Sequence, residues 1–361
     1  MTLTVTYKNV DGLALALDVH KPEKLVSASI PAVIYFHGGG LTVGDRMSWF
    51  PTWLHKRLSA AGIALISVDY RLLPPATGHE ISADVCDALA FIATGKLNSA
   101  LEAEGTTYRI DCDALAVAGT SSGGLCAYLA AAHASPAPKA LLSMYGMGGN
   151  FLTSHYLAPK TEPFFRGREL LDPVTFASYL APQSQTLPPI SGSPLAYHSQ
   201  DSPTPGYPAN PRMQLARLYL QLGVFLDYYT GQHEPSLSQT LRKNCQSGHT
   251  ETDDSDTIPV VHRCLFPQLN VNTTWPPTLI CHGECDTAVP VAESVHLRDV
   301  IQEIGGSAEL RVFPGKEHSF DYAVDAEDDL GEEFDAIVQW LISQLGTSHS
   351  ISIREQIQAN K

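Results

Sequence analysis

The string Gly119-Thr120-Ser121-Ser122-Gly123-Gly124 constrains this chain more than any other. It fits G-x-S-x-G between the strand-like Ala114 to Ala118 and the helix-like Leu125 to Ala132, the context in which a sharp strand-to-helix turn exposes one serine Oγ. That serine is Ser121. Small flanking residues let strand and helix pack around a turn that bulkier side chains would block. A second glycine-rich string, His37-Gly38-Gly39-Gly40, follows the apolar run Ala32 to Phe36. Its backbone N–H groups can be aimed at one oxygen, so the two strings together describe a nucleophile and an anion trap.

The pattern around these strings predicts the frame that carries them. Leu3 to Tyr7 and Leu13 to Val19 alternate around Asp11-Gly12, which predicts an opening hairpin. Short, nearly continuous apolar runs follow at Ala32 to Phe36, Ala64 to Val68, Ala114 to Ala118, Leu141 to Tyr145, Thr278 to Cys281 and Leu310 to Phe313. Such runs fit strands buried on both faces of a mostly parallel sheet. Helical periodicity appears between them, at Trp49 to Ala61, Ile81 to Ala93, Leu125 to His133, Val291 to Ile304 and Asp329 to Leu345. The alternation predicts an α/β class, a three-layer α/β/α sandwich wrapped by right-handed crossovers.

The alternation fails between Met147 and about Asn272. Eleven prolines fall between Pro159 and Pro211, which leaves one predicted helix there, Met213 to Tyr229. A structureless loop of that length is improbable inside a compact domain, so residues 147–272 are expected to form an inserted lid over the catalytic face. The core is then residues 1–146 and 273–345, and 346–361 a polar tail. Twelve of the thirty aromatics lie in residues 151–230, with Phe164, Phe165, Tyr228 and Tyr229 in adjacent pairs. These four either line a substrate pocket or form the lid's own core.

Composition narrows the partners. A formal charge of −15 without any basic run argues against nucleic acid and anionic membranes. The chain has no unbroken apolar span near twenty residues, and Met1 to Tyr7 lacks the charged and apolar regions of a signal peptide. A cytoplasmic protein with reduced thiols is expected, because seven scattered cysteines are no disulfide framework. Cys245, His249, His262 and Cys264 match no common zinc spacing, so no metal site is expected. Cys281 and Cys285 read as packing thiols, the Asn272 sequon as chance, and the acidic run Glu251 to Asp256 as a solvated tip. Oligomeric state is open.

These motifs resemble the α/β-hydrolase fold and, within it, the hormone-sensitive-lipase-like carboxylesterases. Val68-Asp69-Tyr70-Arg71-Leu72-Leu73-Pro74 is similar to that family's DYRLAP segment. His282-Gly283-Glu284-Cys285-Asp286 is similar to its acid loop, and Glu317-His318-Ser319-Phe320 to its base loop. The chain departs at Ser122, where an alanine is common, and at Pro75, where an acidic residue is usual.

The fold orders its catalytic residues Ser, Asp or Glu, His, and Ser121, Asp286 and His318 obey that order. His318 would take the serine proton, and Asp286 would orient the imidazole; Glu284 and Asp321 are the rival acids. The oxyanion hole would use the N–H groups of Gly39, Gly40 and Ser122, with Gly38 as the neighbouring candidate. His37 reads as a structural hydrogen-bonding residue. The resemblance implies a cofactor-free serine hydrolase acting on small or medium carboxylic esters through an acyl-enzyme. A lactonase, thioesterase or acyl transferase in a biosynthetic pathway is the alternative. A non-catalytic small-molecule receptor, as among the similar gibberellin receptors, is disfavoured by the presence of His318.

Overall fold

A computed structural model describes residues 2–25, 27–246 and 257–346. Among them, eight strands form one sheet: β1 (Thr2–Val10), β2 (Leu13–His20), β3 (Ser29–Phe36), β4 (Ala64–Val68), β5 (Arg109–Thr120), β6 (Leu141–Met144), β7 (Thr278–Gly283) and β8 (Ala308–Phe313). The spatial order is β1-β2-β4-β3-β5-β6-β7-β8. β1 and β2 form the antiparallel hairpin, and the strands from β4 to β8 pair in parallel. At the hairpin turn, Asp11 and Gly12 both take positive φ, as a turn matched to the strands' twist requires.

Period-two alternation distributes the core over both faces. Ala32, Ile34 and Phe36 of β3 and Leu115 and Val117 of β5 join one apolar cluster, while Val33, Tyr35, Ala114, Ala116 and Ala118 join the other. The first cluster is covered by α2 (Gly78–Ala93) and α4 (Ser122–His133). The second is covered by α1 (Thr52–Ala60) and the last described helix, Ala326–Leu345. The central strands β3 to β7 are therefore buried on both faces along their apolar runs, whereas the edge strand β8 is not: Val312 is 42% exposed, so the run Leu310 to Phe313 departs from the double burial expected of it. The α/β sandwich expected from the sequence is the observed architecture. Within the sandwich, α3 (Lys96–Ala103) is a helix beyond those expected.

Between β6 and β7 the chain leaves the sheet. Its described residues build α5 (Ser154–Leu157), two 3₁₀ segments, α6 (Arg212–Leu222), α7 (Phe225–Thr230), α8 (Leu237–Gln246), a short turn of helix at Val260–Arg263 and a third 3₁₀ turn at Pro267–Leu269. The single helix expected over Met213 to Tyr229 is two helices. Gly223 takes φ 63° and caps α6, with no room for a Cβ, which would lie 2.7 Å from the Leu157 carbonyl oxygen. Helical periodicity continues through that glycine, so the break leaves no trace in the apolar pattern. This region is not a separate core. Phe151, Tyr156, Leu215, Phe225 and Tyr229 belong to the same cluster as α2 and α4.

Among the described residues no helix is long and apolar enough to cross a membrane, and no group of three His, Cys, Asp or Glu side chains can hold a metal ion. The Cys245 side chain, His249, the acidic run 251–256 and the tail from 347 onward lie outside the described residues. His262 pairs with His79, Nδ1 to Nε2 at 2.9 Å, and Cys264 is exposed.

Candidate active site

Ser121 is the one residue between β5 and α4, and it stands at φ 53°, ψ −122°. A non-glycine residue there costs on the order of 1–3 kcal/mol and persists only when its surroundings over-determine it. They do so through backbone contacts. The Ser121 N–H donates to the Met144 carbonyl at 3.0 Å, and its own carbonyl accepts from Gly124 and Met147 at 2.9 and 3.1 Å. A Cβ on Gly119 would lie 2.0 Å from the Gly123 oxygen, and one on Gly123 would lie 2.0 Å from the Phe36 oxygen. The elbow's glycines are thus required by contact between the turn and the strand beneath it.

The expected acid, Asp286, and the expected base, His318, lie on the loops after β7 and β8. The Nε2 of His318 lies 3.0 Å from Ser121 Oγ, and its Nδ1 lies 2.7 Å from Asp286 Oδ2. Asp286 also accepts the N–H groups of Ala288 and Val289, at 2.9 and 2.8 Å, and lies 3.2 Å from His282 Nε2. Burial alone would raise this carboxyl, but the hydrogen bonds from His282, His318 and Val289 outweigh it and hold the group well below its usual range. It stays ionised, as a partner for an imidazolium must. The rivals are engaged elsewhere: Glu284 accepts the Gly315 N–H, and buried Asp321 accepts from Trp53 Nε1 and the Tyr145 hydroxyl.

A carboxylate just before His318 ties the two loops together. Glu317 accepts from the N–H and hydroxyl of Thr287, at 2.8 and 2.6 Å, and from the His318 N–H at 2.7 Å. Burial works to raise its carboxyl, yet these bonds lower it. The Tyr145 ring stands edge-on to the imidazole with centroids 4.6 Å apart.

The glycine loop faces Ser121 from β3. Gly39 and Gly40 have φ of 115° and 63°; a Cβ on Gly39 would lie 2.1 Å from the Val43 oxygen, and one on Gly40 would lie 2.2 Å from Ala216 Cβ on α6. His37 is fully buried, its Nδ1 2.7 Å from the Gly38 oxygen and its ring stacked on Tyr70. Burial lowers His37 to about 4, so it stays neutral and braces the loop. Among the described residues no hydrogen bond takes the N–H of Gly39, Gly40 or Ser122. Three donors therefore remain for a ligand oxygen.

A cavity of about 240 Å³ opens onto Ser121 and His318, lined by Gly38 to Gly40 on one side and by Phe165, Arg166, Arg168 and Arg217 on another. Of the four aromatics singled out in the sequence, Phe165 alone lines it. Phe164 is half-buried, its backbone paired with Arg168. Tyr228 and Tyr229 are packing residues, which corrects the pocket reading. The Tyr228 ring stacks on Tyr219 at 3.7 Å and its hydroxyl accepts the Ala181 N–H, whereas the Tyr229 ring is fully buried against Gly78 and its hydroxyl donates to the Leu265 oxygen. Sequence reasoning gave no role to His282, Glu317, Arg166 or Arg217. The first two lie inside quoted motifs, four residues before Asp286 and one before His318, and that spacing was the available signal.

A model of the family described by the α/β hydrolase fold matches residues 33–202, and one of the prolyl oligopeptidase family matches residues 249–348. The esterase Est2 of the Planctomycetes species Thermogutta terrifontis is similar with a TM-score of 0.57 at 16% identity, over 97% of this chain and 95% of that one. The chain has the α/β-hydrolase fold. The esterase LipW of Mycobacterium marinum is similar too, with a TM-score of 0.57 at 17% identity, over 95% of this chain and 82% of that one. In sequence, the non-reducing polyketide synthase ausA of Emericella nidulans is 27% identical over an alignment of 367 positions that covers 89% of this chain. This α/β-hydrolase chain spans 13% of that relative's length.

Proposed function

We propose that the chain is a serine hydrolase that cleaves carboxylic esters of small or medium acyl groups through an acyl-enzyme. The observation that carries this reading is the continuous hydrogen-bond chain from Asp286 through His318 to Ser121 beside three unengaged backbone N–H groups. His318 Nε2 takes the Ser121 proton as Oγ attacks the ester carbonyl, and Asp286 stabilises the imidazolium that forms. The N–H groups of Gly39, Gly40 and Ser122 receive the developing oxyanion, a contribution of about 3 kcal/mol per donor in comparable sites. Collapse expels the alkoxide with the proton from His318, and water, deprotonated by the same nitrogen, releases the acid. No cofactor enters these steps.

Residues 147–272 act as a lid on a core of residues 1–146 and 273–345. Phe165 and the residues of α6 that line the cavity limit the acyl group, consistent with its modest volume. The esterases among the similar structures support the reaction class, and a cytoplasmic location belongs to the same proposal.

The likeness to part of a polyketide synthase favours a second reading, in which the same acyl-enzyme forms from a biosynthetic thioester and passes to water, an alcohol or an amine. One experiment tests both. Purified protein is labelled with a fluorophosphonate and assayed on p-nitrophenyl esters of increasing chain length, then on thioesters and lactones. Labelling with ester turnover supports the first reading, turnover confined to thioesters the second, and no labelling removes both.

A further inference from the structure

The charged lining of the cavity has one sign. Arg166, Arg168 and Arg217 face it, and among the described residues no Asp or Glu does, in a chain whose formal charge is −15. The guanidinium of Arg166 is engaged with the His318 carbonyl at 2.6 Å. Arg217 is different. It is only 5% exposed, and its partners are all neutral: the Glu169 carbonyl at 3.2 Å, Gln214 Oε1 at 3.3 Å and the Tyr207 hydroxyl.

The other strongly buried arginines show what a settled guanidinium looks like in this fold. Arg57, 3% exposed, pairs with Asp335 and Glu327, both at 2.7 Å. Arg212, 7% exposed, donates to the carbonyls of Leu73 and Pro74 at 3.0 and 2.7 Å and does not line the cavity. Among the described residues no ion pair reaches Arg217 or Arg168. Burial lowers Arg217 despite the opposing interaction with Tyr207, and the like charge of Arg168 adds to the lowering. A buried cation without a counter-charge is costly to keep, and an anion entering between the pair relieves both the desolvation and the repulsion.

We propose that Arg217, with Arg168 at the rim, forms a subsite for an oxyanion carried by the substrate away from its scissile bond. The inference rests on the ester-cleaving reading and narrows its substrate to acyl esters bearing a carboxylate or a phosphate, the planar or tetrahedral groups that an arginine fork recognises.

The test compares p-nitrophenyl hydrogen glutarate and p-nitrophenyl 4-phosphonooxybutanoate with p-nitrophenyl methyl glutarate, a neutral ester of matching length. Wild type is expected to favour at least one anionic ester in kcat/KM by about ten-fold or more, and added salt is expected to shrink that ratio. The larger of the two ratios identifies carboxylate or phosphate. Arg217→Gln should remove the preference, Arg168→Gln reduce it, and Arg217→Lys keep part of it. Arg168 is exposed, so its variant remains informative even if Arg217→Gln fails to fold. A wild type that prefers the neutral ester, or a preference that survives both glutamine variants, overturns the proposal. If no ester is turned over, the ester-cleaving reading has failed separately. The subsite is then judged by quenching of Trp49, which lines the same cavity, on titration of Ser121→Ala with monomethyl glutarate and 4-phosphonooxybutanoate. Saturable quenching weakened by Arg168→Gln supports the subsite, and quenching that is absent or unaltered by the variant overturns it.

Discussion

The Arg166 guanidinium donates a 2.6 Å hydrogen bond to the carbonyl oxygen of His318, so the segment between β6 and β7 grips the backbone of the proposed base directly. The grip comes from a strained turn. Phe165 and Arg166 both take positive φ, at 53° and 64°, and the Arg166 N–H donates to Thr287 Oγ on the acid loop. Arg166 is exposed, so Arg166→Ala should leave the melting temperature nearly unchanged while lowering kcat about ten-fold by loosening the imidazole. Arg166→Lys should recover part of the loss. A kcat equal to wild type in Arg166→Ala would show that the base loop is held by Glu317 alone.

Ser121→Ala should abolish fluorophosphonate labelling and ester turnover in a protein that still folds. Asp286→Asn should be nearly as damaging, by about 10³- to 10⁴-fold in kcat, because an amide can present the wrong group to His318 Nδ1 and cannot balance an imidazolium. The check is steady-state kinetics beside circular dichroism. Wild-type turnover in either variant would contradict the proposed roles.

Gly39 and Gly40 exclude side chains for different reasons, and a pair of double mutants separates them. The Cβ of Gly40→Ala meets Ala216 Cβ, which Ala216→Gly removes, whereas that of Gly39→Ala meets the backbone oxygen of Val43, which no substitution removes. Both single variants should lose about 10²-fold or more in kcat through a displaced oxyanion donor. Adding Ala216→Gly should restore part of the activity of Gly40→Ala and none of that of Gly39→Ala. Equal rescue of both would mean that the loop, rather than the local contact, sets the geometry.

The residues legible in the sequence were those whose role depends on local spacing. Ser121, Asp286 and His318 each follow an apolar run, and for Ser121 and Asp286 that run is a strand buried on both faces. Gly39 and Gly40 were legible for the same reason, although the contacts that demand glycine come from Val43 nearby and from Ala216 far along the chain. The region between β6 and β7 was less legible, because its order depends on long-range pairs. Tyr228 and Phe165 look alike in sequence; stacking on Tyr219 buries the first, and a left-handed turn presents the second to the cavity. Arg217 carries no sequence signal at all, since helical periodicity does not record whether a buried guanidinium finds a carboxylate.

That distinction is measurable. Tyr229→Ala removes a ring fully buried beside Phe151 and Phe225 and should lower stability by about 3–5 kcal/mol, with short and long esters affected alike. Phe165→Ala should leave stability within about 1 kcal/mol and shift preference toward longer acyl chains, because the side chain borders the cavity. Denaturant melts and a chain-length series on the two variants decide the matter. A Tyr229→Ala protein of wild-type stability and altered chain-length preference would return that residue to the pocket.

The last prediction concerns a carboxyl outside the proposed catalytic set. Glu293, on the helix Val291–Glu303, is 1% exposed; its Oε2 accepts the Gly148 N–H at 2.8 Å, and both oxygens lie 2.9 Å from the Tyr156 hydroxyl. It joins that helix to the chain leaving β6 and to α5. Burial dominates its environment and raises it from 4.5 to about 8, against hydrogen bonds from Tyr156 and Gly148 that pull the other way. The folded protein therefore holds a proton that the unfolded chain has already released across that interval. Stability from this group is fully present below about pH 4.5 and is lost as pH rises through about 8. Asp286 acts in the opposite sense, but its window lies in acid, below the ordinary carboxyl value of 3.8. Glu293→Gln keeps a neutral group of the same shape, able to accept from Gly148 and to share a hydrogen with Tyr156. The buried histidines, His37 among them, add stability as pH rises toward 6.5, so the diagnostic is the difference between the two proteins: the melting temperature of Glu293→Gln relative to wild type should climb from pH 5 to 8 and exceed wild type at pH 8. Parallel melting curves for the two proteins across this range would mean that Glu293 is ionised in the folded state and that the buried contacts are those of a carboxylate.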